Sequence, residues 1–562
     1  MTGIVDSANH RAPEAAAGPR PAEVLALGVE AVAYAAFDAG IKAVFGYPGT
    51  PSTEGFERAE ALIRDEGAGR TAHWAANEKV AYELGLGVSY AGYRVLITMK
   101  HVGLNVAMDA FVNSAMTGVQ GGFVLLVADD PGMHSSQNEQ DSRYLADFAN
   151  LPCLEPATVQ EAYDYTARAF DLSEQLKVPV MMRLVTRVAH CRAPLERRPR
   201  LAVPSVGLPQ GEDARGWVLL PQSARRQYAK LRDKIPEMRH RMEAYNRLVP
   251  GRTRMGVVVA GLGRALLDEL GREAPHLCDA VRLEISGYPI SQNLFDICLS
   301  QCDHILVFEE SYPYIEDQLR NHAVHTRIRG RRDGTISLTG ELSAREMRSA
   351  LGLGQQVGKT APPIATPLRP PRFCEGCGHV DAYEALKEAL ARVGAPQTRV
   401  FGDIGCYAMA AGEPLHTVHT CVEMGASVGM ALGAALAGVT PAVAVIGDST
   451  FVHSGLPALT SLARARVNVT LLVLDNRTVA MTGQQRVETV DMVEPIVVGL
   501  GMDPAHVTTL VPLPRRHAEN VAAMEAALRH PGPSVVVCRR ECVQASRKGV
   551  NAGRDQRARD GR

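Results

Sequence analysis

The sequence predicts a multidomain α/β protein built on parallel sheets. Apolar runs of strand length alternate with helix-length segments along most of its 562 residues. Each run is close to continuously hydrophobic, as strands buried on both faces are. Two compositional breaks divide the series into three, in keeping with a length that suggests about three to four domains, each with its own core.

Residues 1–22, "MTGIVDSANHRAPEAAAGPRPA", are rich in Ala and Pro and carry no basic stretch ahead of an apolar core. They read as a disordered leader, not an export signal. Residues 23–200 hold four strand candidates, "IKAVFGYPGT", "YRVLITMK", "GGFVLLVADD" and "VPVMMRLVT", separated by helical patterns, and form a first domain. Residues 201–252 are rich in Arg, Pro and helix formers and read as a helical linker. A second domain, 253–357, contains "MGVVVAG" and "HILVFEE". The stretch 358–371, "GKTAPPIATPLRPP", is a proline-rich linker. A third domain, 372–545, contains "TPAVAVIGD", "VTLLVLDN" and "PSVVVCRR", and 546–562 form a basic tail without apolar periodicity.

Sixty basic residues balance sixty-one acidic ones. No global field attracts nucleic acid or an anionic membrane, so a charged ligand must be met by a local site. The least polar stretch, Val428 to Ile446, is broken by Thr440-Pro441 and reads as a buried helix, a turn and a buried strand. Eleven cysteines, an odd number spread over an unexported chain, point to reduced thiols in the cytoplasm.

The third domain carries the sharpest chemistry. One strand ends in Gly447-Asp448-Ser449 and the next in Asp475-Asn476, with twenty-five residues between Ser449 and Asp475. In a right-handed parallel unit both ends open on the same sheet edge. A carboxylate from Asp448, an amide oxygen from Asn476, a backbone carbonyl near Thr478 and two phosphate oxygens suit octahedral Mg²⁺. The arrangement resembles the thiamine diphosphate motif, although either piece alone is an ordinary turn signal. Such a site needs a carboxylate from another domain to activate the aminopyrimidine, and Glu78, in "NEKVAYELGLGVSYAG", begins a helix of the first domain.

In "FCEGCGH", Cys374 and Cys377 flank a glycine turn ahead of His379. A zinc knuckle or unligated thiols is the reading that needs nothing further. Lys100, His101 and Asn105 follow one strand and His134 another, so all could line a pocket, or lie in ordinary loops. Gly425, Gly429 and Gly433 share a helix face, which predicts close packing beside the cofactor. Glu309 and Glu310 end a strand and are expected to be solvated.

Taken together, "FGYPGTPSTE", "NEKVAYELGLGVSYAG", "ITMKHVGLNVAMDA", "VADDPGMHSSQNEQDSRYLADFANLP", "FEESYPYIEDQLR", "FCEGCGH", "GDIGCY", "MGASVGMALG" and "VIGDSTFVHSGLPAL" with "LDNRTVAMTG" resemble the thiamine-bearing subunit of indolepyruvate ferredoxin oxidoreductase. The motifs keep the family's order from about residue 25 to 545. The resemblance implies a pyrimidine-binding domain, a transketolase C-terminal-like domain and a diphosphate-binding domain. It implies oxidative decarboxylation of a 2-oxoacid to an acyl-coenzyme A, with electrons passed to ferredoxin. Glu78 becomes the activating glutamate and Thr50 the threonine near the substrate carbonyl, with Lys100, His101 and His134 as further catalytic candidates. Gly447, Asp448, Ser449, Asn476, Thr478, Gly425 and His379 become cofactor-binding residues. The cysteine pair becomes half of a [4Fe–4S] site, which needs four thiolates. Cys406 and Cys542 follow strands that open on the same edge, whereas Cys538 lies within a strand and reads as core.

The resemblance also implies a smaller second subunit and a dimer of such pairs, with thiamine sites often shared between chains. It departs at the end, where no cysteine follows Cys542. The family's ferredoxin-like cysteine runs are absent from this sequence, so the expected routes are a separate ferredoxin, a partner subunit, or no iron–sulfur relay at all. The alternative activity is a redox-free thiamine decarboxylase or carboligase.

Overall fold

The computed structural model describes residues 23–207, 216–354, 372–487 and 491–547. The expected leader, the proline-rich linker and all of the tail but Ser546 and Arg547 lie outside them. Three main sheets organise the chain. The first has seven strands in the order Gly287–Tyr288, Cys153–Leu154, Val180–Val185, Phe123–Asp129, Val95–Lys100, Ala43–Gly46 and Thr71–Trp74. Its pairings are parallel except for Gly287–Tyr288, which runs antiparallel to Cys153–Leu154. The second places Arg327–Arg329, His304–Phe308, Met255–Ala260, Val281–Ile285 and Arg247–Val249 side by side, the last antiparallel. The third is a six-stranded parallel sheet ordered Thr420–Cys421, Val400–Gly402, Ala442–Gly447, Val469–Asp475, Ser534–Arg539 and Val507–Leu510.

The central strands Val95–Lys100, Phe123–Asp129, Val180–Val185, Ala442–Gly447 and Val469–Asp475 are buried at every residue. That burial on both faces is why they read as unbroken apolar runs. Within 201–252, the helix Pro221–Met242 starts on a proline, where the missing N–H costs nothing. It packs on the helix His101–Thr117 of the first unit, and Trp217 just ahead of it stacks on Tyr90.

The first and second units share more than a boundary. Strand Gly287–Tyr288, from the segment expected as a separate domain, extends the first sheet. Beneath this junction lies a buried ionic network. Arg143 pairs with Asp141 and with Glu309, and Arg183 pairs with Asp129 and Glu155. Glu309 and Glu310, expected to be solvated, are 1 % and 0 % exposed. Glu309 accepts backbone N–H bonds from Ile315 and Glu316, and Glu310 accepts one from Leu342. Burial pushes both carboxyls up to about 7, against the pull of Arg143 on Glu309 and of the Leu342 N–H and Arg331 on Glu310. Arg143 and the Leu342 N–H come from distant segments, and buried charges persist only when so paired.

Candidate active site

A cavity of about 520 Å³ opens between the carboxyl edges of the first and third sheets. One wall is made by Tyr47, Thr50, Glu78, Lys100 and Asn105, the other by Cys406, Gly447, Asp448, Ser449, His453, Asn476 and Thr478. Both walls belong to one chain. Among the described residues, four hydrogen bonds close the seam: Tyr47 with the Ser449 hydroxyl at 2.7 Å, Asn77 Nδ2 to the His453 carbonyl at 2.9 Å, Gln485 Nε2 to Glu57 at 2.8 Å, and His453 Nε2 with Glu78 Oε2 at 2.7 Å.

Glu78 owes its place to Asn77. The Asn77 side chain accepts from Val80 N and caps the helix Glu78–Tyr90, putting Glu78 at its first position, where a carboxylate also favours the helix dipole. The residue is 5 % exposed. Its Oε1 lies over Gly103, where an added Cβ would come within 2.3 Å. Glycine at 103 thus gives the carboxylate room on the cavity side.

Across the cavity, strand Ala442–Gly447 delivers Asp448 and the neighbouring parallel strand Val469–Asp475 delivers Asn476. Asp448 Oδ1 accepts from Ser449 N at 2.9 Å and Oδ2 from Arg477 N at 2.7 Å. Asn476 Oδ1 faces Thr478 N at 3.1 Å. Burial, then the nearby Asp475, push the Asp448 carboxyl up to about 7. Among the described residues no basic side chain forms an ion pair with it: Asp475 takes Arg539, and Arg477 takes Asp491. A buried carboxylate without a cationic partner, beside an amide oxygen, has the chemistry of a hard divalent-cation site.

Lys100 is 7 % exposed and donates to the Ser135 carbonyl at 2.7 Å and to the Ser135 hydroxyl at 3.2 Å. An ammonium has three donors, so one remains for the cavity. Burial lowers this group to about 8, with Asp130 opposing.

The cysteines gather on the same side. Cys406 stands in the cavity wall, and Cys542 N donates to the carbonyl of Asn476 at 3.1 Å. Cys374 and Cys377 flank a turn in which Gly376 takes φ +76°. Burial, reinforced by Cys377, Cys542 and Cys374, raises the Cys406 thiol to about 11, and Cys377 is raised by burial and then by Cys374 and Cys542. Cys406 and Cys377 thus each lie within electrostatic reach of Cys374 and Cys542, whereas Cys538 is packed in the core of its sheet. Among the described residues no three His, Cys, Asp or Glu side chains converge on a single-ion site. A four-iron cluster spaces its thiolates more widely than one ion does.

Other expected residues fall elsewhere. His101 is fully buried, its ring nitrogens 3.4 Å from the carbonyls of Ala128 and Asn138, and does not line the cavity. His134 is largely exposed and faces Glu341 of the second unit at 3.4 Å. His379 packs near the rings of Phe373 and Tyr407 behind the wall, where burial lowers it to about 4. Gly425 backs onto Ser454, where an added Cβ would come within 2.6 Å, and does not line the cavity. Gly429 and Gly433 are exposed with nothing within 4 Å of an added Cβ, so the expected close packing is not formed within the chain. His453, Tyr47 and Asn77 were not singled out from sequence.

Two family descriptions match the chain: "Pyruvate flavodoxin/ferredoxin oxidoreductase, thiamine diP-bdg" over residues 34–222, and "Thiamine pyrophosphate enzyme, C-terminal TPP binding domain" over 403–538. The chain is 34% identical to the indolepyruvate oxidoreductase subunit IorA of Archaeoglobus fulgidus, covering 93% of this chain and 86% of that one. It is 35% identical to the corresponding subunit of Methanothermobacter thermautotrophicus, covering 92% and 87%. The 2-oxoglutarate synthase subunit KorA of the same organism is 31% identical over 29% of this chain and 45% of its own.

Proposed function

Because the chain belongs to the family of indolepyruvate oxidoreductase IorA subunits, we propose that it is the thiamine diphosphate-bearing subunit of a 2-oxoacid oxidoreductase acting on indolepyruvate or another arylpyruvate. The reaction converts 2-oxoacid and coenzyme A to acyl-coenzyme A and carbon dioxide, and two electrons leave singly to ferredoxin. The observation that carries this reading is one cavity with Glu78 on one wall and the Asp448–Asn476 pair on the other.

Thiamine diphosphate supplies the carbanion-stabilising chemistry that a 2-oxoacid needs to lose its carboxyl group. Asp448, Asn476 and the Thr478 backbone carbonyl fit Mg²⁺ and, with it, the diphosphate. Glu78 would give or take a proton at the aminopyrimidine nitrogen through a carboxylate oxygen, the general-acid/base role its shielded position favours. Lys100 offers its remaining N–H to the substrate carboxylate, and Thr50 stands near the carbonyl. Cys374, Cys377, Cys406 and Cys542 fit a [4Fe–4S] cluster, which would accept electrons one at a time at the cavity wall. A smaller second subunit completes the enzyme. Among the described residues no helix is long and apolar enough to cross a membrane.

The reading requires one carbon dioxide and one acyl thioester for each 2-oxoacid consumed when the chain, its partner subunit, thiamine diphosphate, Mg²⁺, coenzyme A and an electron acceptor are combined anaerobically. Carbon dioxide with aldehyde in place of the thioester overturns it.

Lys100 gives a pH prediction. Its lowered value means that the ammonium is lost as pH rises through about 8. KM for the 2-oxoacid should therefore be flat below that pH and climb above it. Lys100→Met should raise KM on the order of ten- to a hundredfold, equivalent to a charge-assisted hydrogen bond of about 1.5–3 kcal/mol, and abolish the climb. Steady-state kinetics from pH 6.5 to 9.5 check both.

A further inference from the structure

Every polar atom of the His453 ring has a partner. Nε2 lies 2.7 Å from Glu78 Oε2, with the two side chains 1% and 7% exposed. An ionised carboxylate only accepts, so Nε2 carries the hydrogen. In the neutral ring Nδ1 is then an acceptor, and the Ser454 hydroxyl, 2.7 Å away, donates to it. The ring stands edge-on to Tyr47, centroids 4.7 Å apart.

The backbone is held as firmly. His453 lies in a widened π-helical turn, Phe451–Gly455, a local form that recurs at functional positions. Pro457 has no N–H to offer the carbonyl four residues earlier, and Asn77 Nδ2 reaches that carbonyl at 2.9 Å. The residue that caps the helix of Glu78 therefore also holds the backbone of the histidine opposite Glu78. Behind them Gly425, at φ +90°, leaves the space that Ser454 occupies.

We propose that His453 is a positioning residue for Glu78. Its Nε2–H fixes Oε2, so that Oε1, over the bare Cα of Gly103, is presented to the aminopyrimidine nitrogen. The inference rests on the reading that Glu78 faces thiamine diphosphate. A glutamate has three side-chain torsions to restrain, and a buried hydrogen bond from a ring itself held at both nitrogens removes much of that freedom. Because the bond crosses the seam, Glu78 is aligned only when the two sheets are docked, which couples docking to activation.

His453→Gln keeps an N–H donor at similar reach, whereas His453→Leu has none and His453→Asn falls short of Oε2. Leu and Asn should each lower kcat by roughly ten- to a hundredfold, the scale of outer partners that orient a reacting group, with KM for the 2-oxoacid unchanged, and Gln should restore most of the loss. A second readout needs no cofactor. In protein labelled with nitrogen-15 histidine, the Nε2–H resonance that His453→Gln removes should move in Glu78→Gln, where the charged acceptor is gone. A resonance indifferent to Glu78→Gln, or Leu and Asn variants with native kcat, overturns the proposal. If wild-type protein neither binds thiamine diphosphate nor turns over, the parent reading fails, and the resonance still decides whether His453 holds Glu78.

Discussion

Glu78→Gln is expected to fold, to bind thiamine diphosphate with Mg²⁺ at near-native affinity and to lose turnover by about a hundred- to ten-thousand-fold, the usual cost of a missing general acid or base. The amide has the shape of the carboxylate, and its carbonyl oxygen can still accept from His453 Nε2. Asn77 caps the helix through its own side chain, so the helix start does not depend on the charge at 78. What the amide cannot do is exchange a proton with the aminopyrimidine nitrogen. Hydrogen–deuterium exchange at the thiazolium C2 of the bound cofactor, followed by NMR, should slow in proportion to turnover. An exchange rate equal to wild type removes Glu78 from this role.

The second large effect is expected at Asp448. Asp448→Ala takes away the carboxylate proposed to hold the cation and leaves the amide of Asn476 and a backbone carbonyl, too weak a set to hold Mg²⁺ against water. Calorimetric titration with thiamine diphosphate and Mg²⁺ should show binding in wild type and none in the variant. Thermal unfolding gives an independent reading. At a cofactor concentration of about a hundred times Kd, wild type should gain about 2.7 kcal/mol, and the variant should gain nothing. Equal affinity in the two proteins places the cation elsewhere.

Much of this fold could be read in the sequence because its central strands are buried on both faces. "VLITMK", "FVLLVAD" and "VTLLVLD" lie where their apolar runs place them. Strands that were not picked out break that pattern. Val281–Ile285 carries Arg282 and Glu284, and Val507–Leu510 is an edge strand with two exposed threonines. Asp448 and Asn476 were legible because a parallel sheet sends neighbouring strand ends to one edge. Glu78 needed the longer resemblance, since a glutamate opening a helix is common without any catalytic purpose.

The misreadings share a cause, which is that partners distant in sequence decide what a side chain does. Glu309 and Glu310 look like a solvated strand end until Arg143 and the Leu342 N–H are brought to them. His101 and His134 both follow strands of the first sheet, yet one is sealed beneath backbone carbonyls and the other lies at the surface. His453 was part of a quoted motif but had no role, because Glu78 is 375 positions away. One local signal was present: a proline four residues after a histidine leaves that histidine's carbonyl in need of a donor.

The oxidoreductase reading turns on whether electrons leave the cavity singly through the four thiols. Electron paramagnetic resonance tests this directly on protein reconstituted anaerobically with iron and sulfide, combined with its partner subunit, and frozen after addition of an arylpyruvate and coenzyme A. The account predicts a reduced-cluster signal that needs both the 2-oxoacid and thiamine diphosphate, is missing in Cys406→Ser and persists in Cys538→Ser. Carbon dioxide released from the arylpyruvate with no cluster signal in wild type would contradict it.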